Sequence, residues 1–273
     1  MASSIPRTAV ALLLLLARPA GAEPRFARLF AGRDGCFQLH DMKADKLLVR
    51  FNPRRCARRT SPCSTFKVPL ALIAFDAGAL KNERSGMKWD GRRTSRAVWN
   101  RDQTATTWMR SSVVWFSQRL TRRLGMKKMK AYLARLGFGN GDMSGGLTTA
   151  WLESSLKVSP DEELQLWRRL WRGELPVSRH AIDMTRRITL LGTSTSGWTL
   201  HGKTGSGRLP GKRKLSLGWF VGRIAHGDRE YVFVTSYNDR VEPTDRRPAG
   251  WVARDLSVKI LNELGLLGGI RFD

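Results

Sequence analysis

The chain has 273 residues and a formal net charge of +25, from 48 Lys and Arg against 23 Asp and Glu. No internal repeat, low-complexity tract or second apolar span follows the first residues, which excludes a repeat array and leaves one domain, with or without a helical subdomain. The basic balance suggests a polyanion binder, but Lys and Arg are dispersed apart from short clusters such as Arg54-Arg55 and Lys212-Arg213-Lys214. This reads as a solvated basic surface that steers anionic small molecules, with no nucleic acid partner expected.

In chain order, residues 1–22 read as a secretory leader. Arg7 precedes a leucine-rich run from Ala9 to Ala17, and Ala20-Gly21-Ala22 precedes Glu23. The run is too short to span a bilayer, so cleavage after Ala22 is expected, with Glu23–Asp273 as the working domain in the periplasm or outside the cell. Cys36–His40 and Lys46–Phe51 read as two short strands around a polar turn. An apolar run from Val68 to Phe75 then marks a buried helix opening at Ser64, with Pro62 ahead of it and Pro69 implying an irregular first turn. From Asp76 to Thr199 the signals are mainly helical: Ser112–Leu124 stopped by Gly125, Lys127–Leu136 stopped by Gly137, and Pro160–Trp171 stopped by Gly173. Trp198–Gly202, Leu215–Ile224 and Tyr231–Tyr237 read as strands, the last two joined by a hairpin turn at residues 225–229. Val252, Leu256, Ile260 and Leu264 mark a closing amphipathic helix. Strands framing a helical middle give an α/β or α+β layout.

Three cysteines, Cys36, Cys56 and Cys63, in an exported chain permit one disulfide and leave one thiol over, with the pairing open. Cys63 reads as a small buried residue rather than a catalytic thiol. The four histidines are scattered, so no metal site is expected.

Chemistry concentrates in three short motifs: Ser64-Thr65-Phe66-Lys67, Ser112-Val113-Val114 and Lys203-Thr204-Gly205. Residues three apart share a helix face, so Lys67 falls beside the Ser64 hydroxyl, near a helix N-terminus whose partial positive charge favours an oxyanion. Lys203 supplies a cation, Thr204 a hydroxyl and Gly205 room for close backbone approach. Ser-x-x-Lys also occurs at Ser85–Lys88 and Ser154–Lys157, in polar stretches without an apolar helix, and these copies are read as chance.

With these motifs stand Pro62-Cys63 before Ser64, Trp108-Met109-Arg110-Ser111 before Ser112, Phe138-Gly139-Asn140 and Trp151-Leu152-Glu153-Ser154-Ser155-Leu156. The ordered set resembles the class D (OXA-type) serine β-lactamases over nearly all of Glu23–Asp273. Val114, where related acylating enzymes carry a polar residue, points to class D in particular. The resemblance implies the serine β-lactamase and penicillin-binding-protein fold, a central mostly antiparallel sheet flanked by helices plus a helical subdomain. It implies a Ser64 acyl-enzyme formed with β-lactams, and Lys67 N-carboxylated by CO2 or bicarbonate as general base for acylation and deacylation. Val114 would line the apolar surroundings of that lysine, and the Trp151 indole N–H would hold the carbamate. Ser112 would relay a proton to the lactam nitrogen. Lys203 and Thr204 would hold the substrate carboxylate, the N–H groups of Ser64 and Ser206 would form an oxyanion hole, and Arg254 would be a further carboxylate partner. Phe138 stands where the family often has Tyr, so that triplet is read as structural. No metal is implied, and the state is monomer or homodimer. A penicillin-binding D,D-peptidase would acylate but deacylate slowly. A β-lactam sensor would want membrane spans and a cytoplasmic partner. A polyanion-binding protein would leave the motifs as coincidence.

Overall fold

The structure, a computed structural model, describes residues 22–209 and 211–269. The expected leader lies outside the described residues except for Ala22, which opens helix α1 (Ala22–Leu29). Strands β1 (Arg33–Asp41) and β2 (Lys46–Phe51) form the expected first hairpin. A short helix α2 (Pro53–Cys56), capped by the Asn52 side chain, follows it. Cys56 thereby meets Cys36, and the two form a disulfide with Cys63 left as a buried free thiol. Closing that loop stabilises the fold by about 3 kcal/mol through chain entropy.

Helix α3 (Lys67–Asp76) is buried on every side from Lys67 to Phe75. It does not open at Ser64: Cys63–Phe66 form a 3-10 turn, and α3 begins at Lys67. Pro69 then sits in the first turn of the α-helix, where a missing N–H costs nothing. The segment from Asp76 to Thr199 is less helical than its composition suggests. It holds the small pair β3 (Gly86–Met87) and β4 (Gln103–Thr104), helix α4 (Ala105–Ser111), helix α5 (Val114–Leu136), long loops, helices α6 (Pro160–Arg172) and α7 (Arg179–Ile188), and strand β5 (Leu190–Thr193). Gly125, at φ 79, breaks α5 where a stop was expected, and the helix resumes beyond it. Strand β6 (Thr199–Leu209) runs through the Lys203 triplet rather than ending before it. β7 (Lys212–His226) and β8 (Arg229–Asp239) reach the hairpin turn at Gly227-Asp228, and α8 (Ala249–Glu263) closes the chain.

The main sheet is antiparallel throughout, in the order β2-β1-β8-β7-β6-β5. Alternation along β7 divides it between two cores. Leu217, Trp219 and Val221 face α3 to α7, while Phe220 and Ile224 join Phe233 and α8 on the other side. A six-stranded antiparallel sheet flanked by helices is the layout that the resemblance implied.

Candidate active site

The Ser64 turn lies where α3, β6 and the corner between α4 and α5 converge. In a 3-10 turn residues three apart eclipse, and Lys67 Nζ donates to Ser64 Oγ at 3.3 Å. Ser64 is half-buried, whereas Lys67 is wholly buried. Burial holds the Lys67 amine well below the usual lysine range, with help from the charges of Lys203 and Arg96. The amine beside the hydroxyl is therefore biased toward its uncharged form.

Ser112 arrives from the corner. Thr104 and Thr107 form a capping box that opens α4, and the helix ends at Ser112 in the left-handed region at φ 58. That conformation, unusual for a non-glycine residue, turns the chain into α5, whose first residue is the half-buried Val114. The helix expected from Ser112 therefore starts at Val114. Trp99 braces the corner by donating its indole N–H to Ser111 O at 2.8 Å. Cys63, at φ 51, places a second left-handed residue immediately before Ser64. Burial pushes the Cys63 thiol up to about 12, so it is no nucleophile.

On β6, Lys203 Nζ donates to Ser112 Oγ at 3.0 Å and to Thr204 O at 2.9 Å. Burial first, and the Arg96 guanidinium second, lower Lys203 to about 7. Gly205 is required by packing: a Cβ there would lie 3.0 Å from Pro62 O and 3.2 Å from Thr65 Cγ2, so β6 runs against the Ser64 turn. Ser206 Oγ accepts the Gly250 N–H at 2.8 Å and ties the strand to α8. Arg254 lies one turn beyond Gly250. Its surroundings include Asp255 at 3.6 Å and the Trp251 ring, and it is half-buried.

Trp151 comes from the loop before α6. It is fully buried and stacks on Phe66 with ring centroids 4.9 Å apart. Its buried Nε1–H has no hydrogen-bond partner among the described residues. Phe138-Gly139-Asn140 is structural, as expected: Asn140 Oδ1 accepts the Lys157 N–H and its Nδ2 donates to Ser155 O. The Ser85 copy stays apart from this chemistry. Ser85 Oγ accepts the Lys81 and Asn82 N–H groups in a turn, and Lys88 pairs with the exposed Asp102. Among the described residues, no cluster of His, Cys, Asp and Glu could hold a metal ion, and no helix is long and apolar enough to cross a membrane.

The motifs alone did not single out two residues of this region. Arg96, half-buried and 5.2 Å from the Trp99 ring centroid, acts electrostatically on both lysines. Glu163 on α6 is fully buried against Thr65. Its place four residues before Trp167, on the face that packs inward, was the available signal.

The penicillin-binding-protein transpeptidase domain matches residues 35–257. The chain is 39% identical over 245 residues to the β-lactamase OXA-1 of Escherichia coli, covering 87% of each. It is 40% identical over 228 residues to OXA-9 of Klebsiella pneumoniae, covering 78% of this chain and 81% of that one. Among solved structures, the class D β-lactamase BAT-2 superposes with a TM-score of 0.80 at 36% identity, over 89% of this chain and 97% of that one.

Proposed function

Because the chain belongs to the class D serine β-lactamases, hydrolases that need no metal cofactor, we propose that Ser64 is its nucleophile and Lys67 the seat of its general base. The carrying observation is a buried Lys67 amine, held well below the usual lysine range, 3.3 Å from Ser64 Oγ, with Trp151 stacked on the adjacent Phe66 and its N–H unpartnered among the described residues. Only an uncharged amine adds CO2, and an indole N–H can only donate, so the site suits an anionic carbamate on Lys67 held by Trp151. That group supplies the base for both half-reactions. Ser64 Oγ attacks the lactam carbonyl carbon and gives up its proton toward Lys67. The carbon–nitrogen bond breaks, and the nitrogen takes a proton by way of Ser112. Lys203 and Thr204 hold the substrate carboxylate with Arg254 as a further partner, the Ser64 and Ser206 N–H groups receive the developing oxyanion, and Val114 keeps water off the lysine. Residues 1–22 act as an export leader, which puts the enzyme in the periplasm or outside the cell.

The test is steady-state hydrolysis of a chromogenic cephalosporin and a penicillin, with and without bicarbonate in CO2-depleted buffer. Turnover is expected to fall on depletion, to recover with bicarbonate, and to drop at least about a thousandfold in Ser64→Ala. A single burst without turnover would move the chain to a slow-deacylating penicillin-binding role. Indifference to bicarbonate would remove the carbamate.

A further inference from the structure

Beneath the Ser64 turn lies a buried acid that the mechanism above does not use. The Thr65 hydroxyl sits 2.9 Å from Pro62 O and 2.6 Å from Glu163 Oε1. A hydroxyl has one hydrogen. If Glu163 were ionised it could only accept, so Thr65 could serve one of the two oxygens, and the other contact would set lone pairs against each other. If Glu163 is protonated, its Oε1–H donates to Thr65 Oγ1 and Thr65 donates to Pro62 O, and both short contacts become hydrogen bonds.

The surroundings agree. Glu163 is 0% exposed and its Oε2 has no hydrogen-bond partner among the described residues. A buried carboxylate with one hydrogen bond and no cation is costly. Basic groups on the Ser64 segment and α2 are engaged elsewhere. Lys67 of α3 bonds Ser64, Arg55 of α2 bonds Ser236 and Asn238, and Arg59 is paired with Glu162. Burial raises the Glu163 carboxyl to about 7 against the Thr65 hydrogen bond, which favours ionisation, and the Glu162 charge adds to the rise.

Pro62 O and the Thr65 methyl form the wall against which β6 packs at Gly205. We propose that Glu163 is kept as a neutral carboxylic acid whose O–H, relayed through Thr65 to the Pro62 carbonyl, fixes the spacing between the Ser64 turn and β6. It is thus a positioning residue for acylation. This rests on Ser64 being the nucleophile. The acid touches neither substrate nor base, and it acts by holding the turn. Raising the pH through its titration removes the one hydrogen that satisfies both contacts and loosens the turn.

The test compares wild type with Glu163→Gln across pH, using the full chain. A Gln Nε2–H replaces the acid O–H and cannot be lost. With a group titrating near 7, kcat/KM of wild type for a chromogenic cephalosporin should fall about fivefold relative to Glu163→Gln between about pH 7 and pH 8. Other groups, Lys203 included, titrate in both proteins and cancel in the ratio. Thr65→Val, which keeps the shape and breaks the relay, should reduce acylation by a fluorescent penicillin at every pH and abolish that difference. Stability gives a readout independent of activity. The Glu163 carboxyl is raised in the fold from its ordinary value of 4.5 to about 7, so its contribution is full below 4.5 and lost as pH rises toward 7. The wild-type melting temperature should therefore fall over that window more than that of Glu163→Gln. Should Glu163→Gln not fold, infrared spectra of wild type and Thr65→Val decide: a protonated carboxyl band that titrates near neutrality supports the relay. Overlapping pH profiles with parallel melting curves, or no protonated carboxyl at about pH 6, overturn it. Loss of acylation in Ser64→Ala is the separate check on the nucleophile.

Discussion

Two buried lysines flank the Ser64–Ser112 pair, and their surroundings differ in a way that divides the labour of the site. Lys67 is sealed at the head of α3 and bonded to Ser64 Oγ. Nearby, Trp151 lies flat on Phe66, which precedes Lys67 in the chain, and keeps its N–H unspent. Lys203 lies on an extended strand, bonded to Ser112 Oγ and its neighbour's carbonyl, with the half-buried Thr204 beside it. Burial depresses both, but Lys67 falls well below the ordinary range whereas Lys203 stops at about 7. In the proposed mechanism the first environment suits a base and the second a cation that meets the substrate carboxylate. Desolvation and neighbouring charge thus lower both lysines, Lys67 well below the ordinary range and Lys203 to about 7.

The largest effect should come from the sealed side. Trp151→Phe keeps the stack on Phe66 and removes the donor. Deacylation is expected to slow by about a hundredfold, within the range for general-base catalysis, with the acyl-enzyme visible by mass spectrometry. Normal turnover without a lasting adduct would break the contrast between the two lysines.

On the strand side the effect is on substrate capture. Lys203 is cationic below about 7 and neutral above it. Between about pH 6 and pH 8 kcat/KM for carboxylate-bearing substrates should fall by about tenfold, while kcat changes less because a bound carboxylate favours the charged form. A neutral ester of the same substrate should be bound poorly throughout and show no such inflection. An inflection of equal size for the ester would assign the titration to another group.

The smallest effect sharpens the comparison. Arg96 is the charge that lowers Lys203 after burial, whereas for Lys67 it ranks behind burial and Lys203. Arg96→Ala should move the Lys203 inflection to higher pH and leave the bicarbonate dependence of Lys67 unchanged. A shift in the latter alone would reverse the assignment of the two environments.

Much of this molecule was legible in its residue order. The apolar run after Lys67 could only be a buried helix, Gly125 and Gly137 interrupt and end α5 at positive φ, and the β-branched and aromatic runs of β7 and β8 alternate faces as a sheet requires. The three motifs pointed to Ser64, Lys67, Ser112 and Lys203 only as an ordered set with an apolar helix after Ser64, since Ser-x-x-Lys alone recurs twice in the chain. The 3-10 form of the Ser64 turn was hinted at only by Pro69, and the left-handed Ser112 had no local signal at all, since Trp99 and the Lys203 bond hold that corner from outside it.

What the sequence determined by itself is which groups are present and which local elements carry them, because periodicity, caps and breakers act over a few residues. What only the tertiary structure decided is their protonation and partnership. It paired Cys36 with Cys56, and not with Cys63, by bringing α2 back onto β1. It left the Trp151 N–H without a partner and buried Glu163 against Thr65 although they stand 98 positions apart. Desolvation and long-range hydrogen bonding depend on what the rest of the chain places around a group, and that information is not local to any stretch of residues.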